Sequence, residues 1–199
     1  MPGASILPTA IHKNKLYFLF GRDIGDTPGF ACFGGGVEEH ETDIYKAALR
    51  EGAEELSGFL GDAKQLEKLI ETNGGHFPIA HQSNRGAYHA HLFRIPYEPL
   101  LPLFYQQNHD FLMKKMTKKH FSQNKHLFEK AEIDWMTVEE MKRRRSEFRP
   151  FYRLVVDQIV ATLPSIQEFL KTTPQPVFSP KDNKISSTQN KRKTRKNKK

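Results

Sequence analysis

The chain opens with two apolar runs divided by a short polar stretch. Residues 4–11 (ASILPTAI) and 16–22 (LYFLFGR) read as strands, and the four polar residues 12–15 suit a hairpin link. Residues 23–29 (DIGDTPG) carry the glycines, proline and aspartates of a loop. Residues 30–33 form a short strand that leads into a glycine run. The pattern then turns helical over 43–57. A second, exposed helix is predicted over 62–72, where Leu66, Leu69 and Ile70 recur at helical spacing, and Asn73-Gly74-Gly75 ends it. Residues 76–81 and 87–95 return to strand, joined by a turn at 82–86. An extended linker, 96–102, precedes an aromatic-rich helical stretch over 103–118. A strand follows at 133–136. A helix over 138–145 starts at Thr137, with Glu140 completing a capping box. The last amphipathic helix, 151–171, is kinked or split by Pro164.

With 199 residues, 37% of them hydrophobic, and fifteen Phe, the chain is long and apolar enough for one domain with a real core plus an appendage. The body is expected to span 1–171, with a helical insert at about 96–125. Residues 172–199 are rich in Pro, Ser, Thr, Asn and Lys, and they read as a disordered tail. The net charge of +8 lies in that tail: residues 181–199 hold nine Lys/Arg and one Asp, which leaves the body with 22 of each sign. A basic tail of this kind binds nucleic acid phosphates, directs nuclear import or simply solubilises the chain. The one cysteine, Cys32, excludes an internal disulfide and fits a reducing compartment; Ala31 and Phe33 beside it suggest a buried thiol. Residues 1–15 lack the apolar core of a signal peptide, and residues 16–20 are too short to span a bilayer. A soluble, intracellular, cytoplasmic protein is expected, nuclear if the tail is an import signal.

The chemistry concentrates in residues 34–58, GGGVEEHETDIYKAALREGAEELSG. Glu51, Glu54 and Glu55 stand at i, i+3 and i+4, so a helix puts all three carboxylates on one face. Like charges so placed cost about 0.2–0.5 kcal/mol per pair. A divalent cation between them offsets that cost, and hard cations such as Mg2+ and Mn2+ take oxygen ligands. A solvated acidic face is the plain alternative. His89 and His91 alternate onto one strand face, as a polar face, as substrate contacts or as a metal pair.

These residues resemble the Nudix hydrolase family, whose box reads G-x5-E-x7-R-E-U-x-E-E-x-G-U, with U a bulky aliphatic. Gly35 and Glu41 fit G-x5-E, and Arg50-Glu51-Gly52-Ala53-Glu54-Glu55 fits R-E-U-x-E-E. The sequence departs from the pattern in three places. Eight residues, not seven, separate Glu41 from Arg50. Gly52 stands at the aliphatic position. The closing glycine, Gly58, arrives one residue late. Asp43 as N-cap would confine the extra residue to the loop, and Gly58 would be the left-handed residue past a longer helix. Gly52 signals either close backbone packing or a degenerating box.

The resemblance implies an α+β fold, with a mixed β-sheet sandwiched between helices. It implies hydrolysis of a diphosphate linkage in nucleoside diphosphate derivatives by water attack on phosphorus. Mg2+ or Mn2+ would be held by Glu51, Glu54, Glu55 and the Gly34 carbonyl, and would lower the pKa of a bound water. Glu54 is the expected general base, Arg50 the residue that orients a box glutamate, and Glu41 and Gly35 are supporting positions. An acidic residue ahead of the last strand, Glu132 or Glu129, is expected to position water or substrate. Phe104 and Tyr105 of the insert stack a nucleobase or anchor the insert to the core. Two alternatives stand beside this reading: a Nudix RNA 5′-cap hydrolase using the basic tail for RNA, and a non-catalytic Nudix-fold binding module.

Overall fold

The computed structural model describes residues 2–23, 27–83, 86–117, 119 and 129–178. The remaining insert residues and the basic stretch 181–199 lie outside the described residues.

Strands β1 (Gly3–His12) and β2 (Lys15–Asp23) pair antiparallel only close to their turn, residues 9–12 against 18–15. That turn needs just two residues, Lys13 and Asn14, both at positive φ (48° and 60°). Such a turn matches the right-handed twist of the strands it joins. Beyond it β1 and β2 diverge, and residues 29–36 fill the wedge. β3 (Gly29–Ala31) pairs with the end of β2, and β4 (Phe33–Gly36) pairs with the start of β1. The glycine run is therefore itself a strand, not only the sequel to one.

The other edge of β1 pairs in parallel with β6 (Gly86–Arg94), which pairs antiparallel with β5 (His76–Ser83). β7 (Lys130–Thr137) runs antiparallel along the outer edge of β2. The result is a mixed seven-stranded sheet with β1 at its centre.

Helices cover both faces. α1 (Ile44–Glu55) and α2 (Ala63–Thr72) pack on the face that carries Ala4, Ile6, Ala10, Leu19 and Trp135, joined there by Leu101 and Tyr105 of α3 (Leu101–Lys115). α4 (Val138–Arg143), α5 (Tyr152–Ala161) and α6 (Leu163–Thr172) pack on the opposite face, over Leu7, Phe18, Phe20 and Leu92. Thr137 and Glu140 form the capping box of α4. Pro164 stands in the first turn of α6, where its missing N–H costs nothing, so the expected long helix is two helices.

Residues 173–178, expected within the tail, are tied to the body. Asn73, wholly buried, donates to the Val177 carbonyl (2.9 Å) and accepts from the Val177 N–H (2.9 Å). Arg94 donates to the Thr173 hydroxyl (3.1 Å). A polar clamp of this kind leaves no apolar periodicity to read. Among the described residues, no helix is long and apolar enough to cross a membrane.

Candidate active site

α1 carries the acidic face, and its ends decide where that face sits. Asp43 is the N-cap, and its side chain accepts from the Tyr45 N–H (2.9 Å) and Lys46 N–H (3.2 Å). A cap of this type stabilises a helix by about 1 kcal/mol. The extra residue between Glu41 and Arg50 thus falls in the loop before the helix. At the other end the Ser57 N–H reaches the Glu54 carbonyl (2.9 Å) and the Gly58 N–H the Ala53 carbonyl (3.2 Å), the paired closure of a Schellman motif. Ser57 holds the first left-handed position, at φ 51°, and Gly58 follows at φ 73°. Nothing is inserted after Glu55; a serine adopts the conformation that the box pattern gives to glycine.

Gly52 is buried against β1. A Cβ there would lie 2.4 Å from Ile6 Cγ1 and 2.5 Å from Ile6 Cδ1. Ile6 fills the volume that an aliphatic residue at position 52 would take, and α1 can approach the sheet because position 52 lacks a side chain.

The close approach brings the carboxylates against the glycine strand. The Glu51 carboxylate lies where a side chain at Gly35 would be, 2.6 Å from that Cβ position. Glu55 accepts from the Gly34 N–H (2.6 Å). Arg50 clamps the start of the motif. Its Nε and Nη2 donate to the two oxygens of Glu41 (2.9 Å each), and Nη1 donates to Glu51 (2.8 Å). This bidentate pair, with the Glu38 N–H as a further donor, holds the Glu41 carboxyl down at about 2. The Glu54 carboxylate is the most exposed of the three, 3.9 Å from Arg50.

Lys130 is the site residue that sequence reasoning missed. Its side chain is 1% exposed, and its ammonium bonds both Glu55 (3.1 Å) and Asp23. Arg149 pairs with the other oxygen of Asp23 (2.7 Å). Two buried carboxylates thus meet two cations. Burial pushes the Glu55 carboxyl up, and the Lys130 ammonium pulls it back toward the ionised form. Glu132, the expected acidic partner, does not reach α1. It pairs with Arg22 (2.5 Å), which also holds Glu147 and stacks over Phe30. The reason is a β-bulge. The β2–β7 register shifts between Arg22 and Asp23, so Glu132 pairs with Arg22 and Lys130 with Asp23, and the two side chains turn to opposite faces. Glu129 is exposed.

Tyr105 is 2% exposed, and its hydroxyl donates to the Glu55 carbonyl (3.1 Å) and the Lys130 carbonyl (3.3 Å). It anchors the insert to the site's frame and is not available to stack a base; Phe104 is half exposed. His89 and His91 share a face, but His91 is buried against the rings of Tyr45 (5.0 Å) and His76 (4.8 Å). Burial pushes its pKa down to about 4 and keeps it neutral. Cys32 is buried, as expected, with its thiol donating to the Ser5 hydroxyl (2.6 Å).

A groove of about 440 Å3 opens beside the carboxylates, lined by Arg50, Glu54, Asp62 and Gln65. A larger cavity, about 730 Å3, lies at the hairpin end of the sheet between Tyr17, Tyr97 and Trp135. Of the α1 side chains singled out above, Glu54 and Arg50 face the smaller one.

An all-oxygen donor set suits Mg2+ or Mn2+. As the side chains lie, no three carboxylates, imidazoles or thiolates close on one point among the described residues. Glu51 and Glu54 fit such a cation by chemistry and by their place on the glycine strand and the groove. Glu55 does not, since both its oxygens are taken, Oε1 by Lys130 and Oε2 by the Gly34 N–H, whereas among the described residues Arg50 takes only Oε1 of Glu51.

The sequence matches no family model and no curated protein. Solved structures do resemble it. An Ap4A hydrolase of C. elegans matches with a TM-score of 0.46 and 14% identity, covering 83% of this chain and 97% of that one. A mutT/nudix family protein from Listeria innocua matches at 0.47 and 18%, covering 86% and 97%. The NUDIX domain of Shewanella oneidensis NrtR, complexed with ADP ribose, matches at 0.44 and 12%, covering 82% and 88%. Over most of its length the chain is similar in fold to Nudix hydrolases of known structure.

Proposed function

We propose that this chain is a Nudix-type hydrolase that cleaves a diphosphate linkage in nucleoside diphosphate derivatives with the help of Mg2+ or Mn2+. One observation carries the reading: the acidic face of α1 lies along the glycine strand, with Arg50 locked between Glu41 and Glu51. Bound there, a divalent cation would bind phosphate oxygens and offset the charge that develops as the bridge breaks. Glu51 and Glu54 are the residues that would hold it, with the Gly34 carbonyl as the backbone candidate. Arg50 orients Glu51, its guanidinium held by Glu41 and Glu51 at the edge of the groove. Glu54 is the least engaged carboxylate, so it is assigned the proton of the attacking water. The groove between Arg50, Glu54 and Gln65 receives the substrate phosphates.

A second reading, a non-catalytic Nudix-fold binding module, is favoured by the Lys130–Glu55 pair, which takes one box carboxylate out of play. A phosphate-release screen separates the two. It would run in Mg2+ and in Mn2+ over nucleoside triphosphates, sugar and dinucleotide diphosphates and capped RNA. Metal-dependent turnover of any of them supports the hydrolase; none, in a folded protein, supports the binding module. Loss of RNA turnover alone on removing residues 181–199 would assign the tail to RNA.

A further inference from the structure

We infer that Lys130 acts as a built-in cation for this site: its ammonium bridges Glu55 and Asp23 from within, Arg149 supplying the second positive charge at Asp23, so Glu51 and Glu54 bind the divalent metal without Glu55. The inference rests on the reading of Glu51 and Glu54 as metal ligands.

Three features fix Lys130 in that role. The bulge at Arg22/Asp23 turns its side chain toward α1. Gly21 clears a path for its stem; a Cβ at residue 21 would stand 2.8 Å from Lys130 Cδ and 2.9 Å from Cγ. Tyr105 then ties the Lys130 backbone to the end of α1 through one hydroxyl shared by both carbonyls. The ammonium that results is held between two buried carboxylates, Asp23 at 8% and Glu55 at 4% exposure. Two acidic oxygens facing each other in a dry setting need a cation. Elsewhere a metal ion can meet that need; here the chain supplies its own. An ammonium balances charge but offers no coordination site for a phosphate. The metal held by Glu51 and Glu54 then lacks one protein ligand, and phosphate oxygens of the substrate complete its shell, as is common for Mg2+.

Residue 130 thus works through Glu55 and is a positioning residue. The test is Mn2+ binding, by calorimetry and by counting bound Mn2+ per chain, on the full-length protein. Glu54→Gln is expected to weaken Mn2+ binding by about tenfold or more, whereas Glu55→Gln shifts it less than about threefold. Equal weakening by the two substitutions would overturn the inference. Lys130→Met is expected to bind one more Mn2+ than wild type, and Mn2+ is expected to raise its melting temperature more than that of wild type. The double variant Lys130→Met/Glu55→Gln should return to the wild-type number. If Lys130→Met gains no Mn2+, or stays unfolded with Mn2+ present, the idea that a cation replaces the ammonium is wrong. Failure of the hydrolase reading shows differently. Wild type would then bind no Mn2+, while Lys130→Met gains one; if neither binds any, both ideas fall.

Discussion

Gly52 of α1 and Ile6 of β1 touch so closely that a Cβ at residue 52 would overlap the Ile6 side chain, 2.4 Å from Cγ1. A departure from the family pattern at one residue is thus matched by bulk at another, far away in sequence. The pair predicts a double-mutant result. Gly52→Ala should gain about 1 kcal/mol from helix propensity alone. In this contact it is expected to lose about 1–3 kcal/mol instead, because Ile6 is wholly buried and has nowhere to go. In an Ile6→Ala background the same substitution should be neutral or stabilising. Denaturant unfolding of the four proteins measures the coupling, and additive effects would refute the contact.

Ser57 predicts the opposite sign at the end of the same helix. At φ 51° it occupies a conformation that costs a side-chain-bearing residue about 1–2 kcal/mol. In a Tyr105→Phe background, which removes the ring hydroxyl that the Ser57 side chain bonds, Ser57→Gly is expected to stabilise the fold by about 0.5–1 kcal/mol, part of that gain being offset by the larger chain entropy of glycine. Thermal melts would detect it as a raised Tm.

The Arg50–Glu41 clamp sets an acid limit. Glu41 is held from 4.5 down to about 2, chiefly by its hydrogen bonds from Arg50. A carboxyl with a depressed folded pKa adds stability that is full above its unfolded value and is lost as pH falls through the folded one. The stability advantage of wild type over Glu41→Gln should therefore be constant above about pH 5. It should shrink as pH falls from 4.5 and be largely gone near pH 2. Melting curves of both proteins across that range give the comparison; a constant difference would show that the clamp is not ionic.

Tyr105 distinguishes an anchor from a substrate contact. Tyr105→Phe removes the hydroxyl shared by the Glu55 and Lys130 carbonyls. A loss of about 1 kcal/mol of stability is expected, with little change in KM. A raised KM at unchanged stability would put the ring in the substrate site.

Much of this site was legible in the sequence because its parts are local. Glu51, Glu54 and Glu55 share a helix face by spacing alone, and Asp43 announces the helix start by its type and place. Thr137 and Glu140 signal α4 in the same way. What stayed hidden depends on pairing across the fold. The bulge opposite Asp23 decides that Lys130, not Glu132, reaches α1, and no residue of β7 reveals it. For Tyr105 both base stacking and anchoring of the insert stayed open in the sequence, because its partners are backbone carbonyls 50 and 25 residues away. The Asn73–Val177 clamp spans 104 residues through two hydrogen bonds and leaves no pattern in a polar tail. The glycines of β4 oppose a strand reading, and β1 makes them a strand by offering an edge where β1 and β2 part.

The central claim is that the α1 carboxylates carry metal-dependent cleavage of a diphosphate bridge. The most direct measurement is kcat/KM of wild type and Glu54→Gln, in Mn2+, on the best substrate from the phosphate-release screen. The account predicts turnover by wild type that a chelator abolishes, and a drop of about 10²–10⁴-fold in Glu54→Gln with the fold intact. Equal turnover by the two proteins, or turnover that survives the chelator, would contradict it.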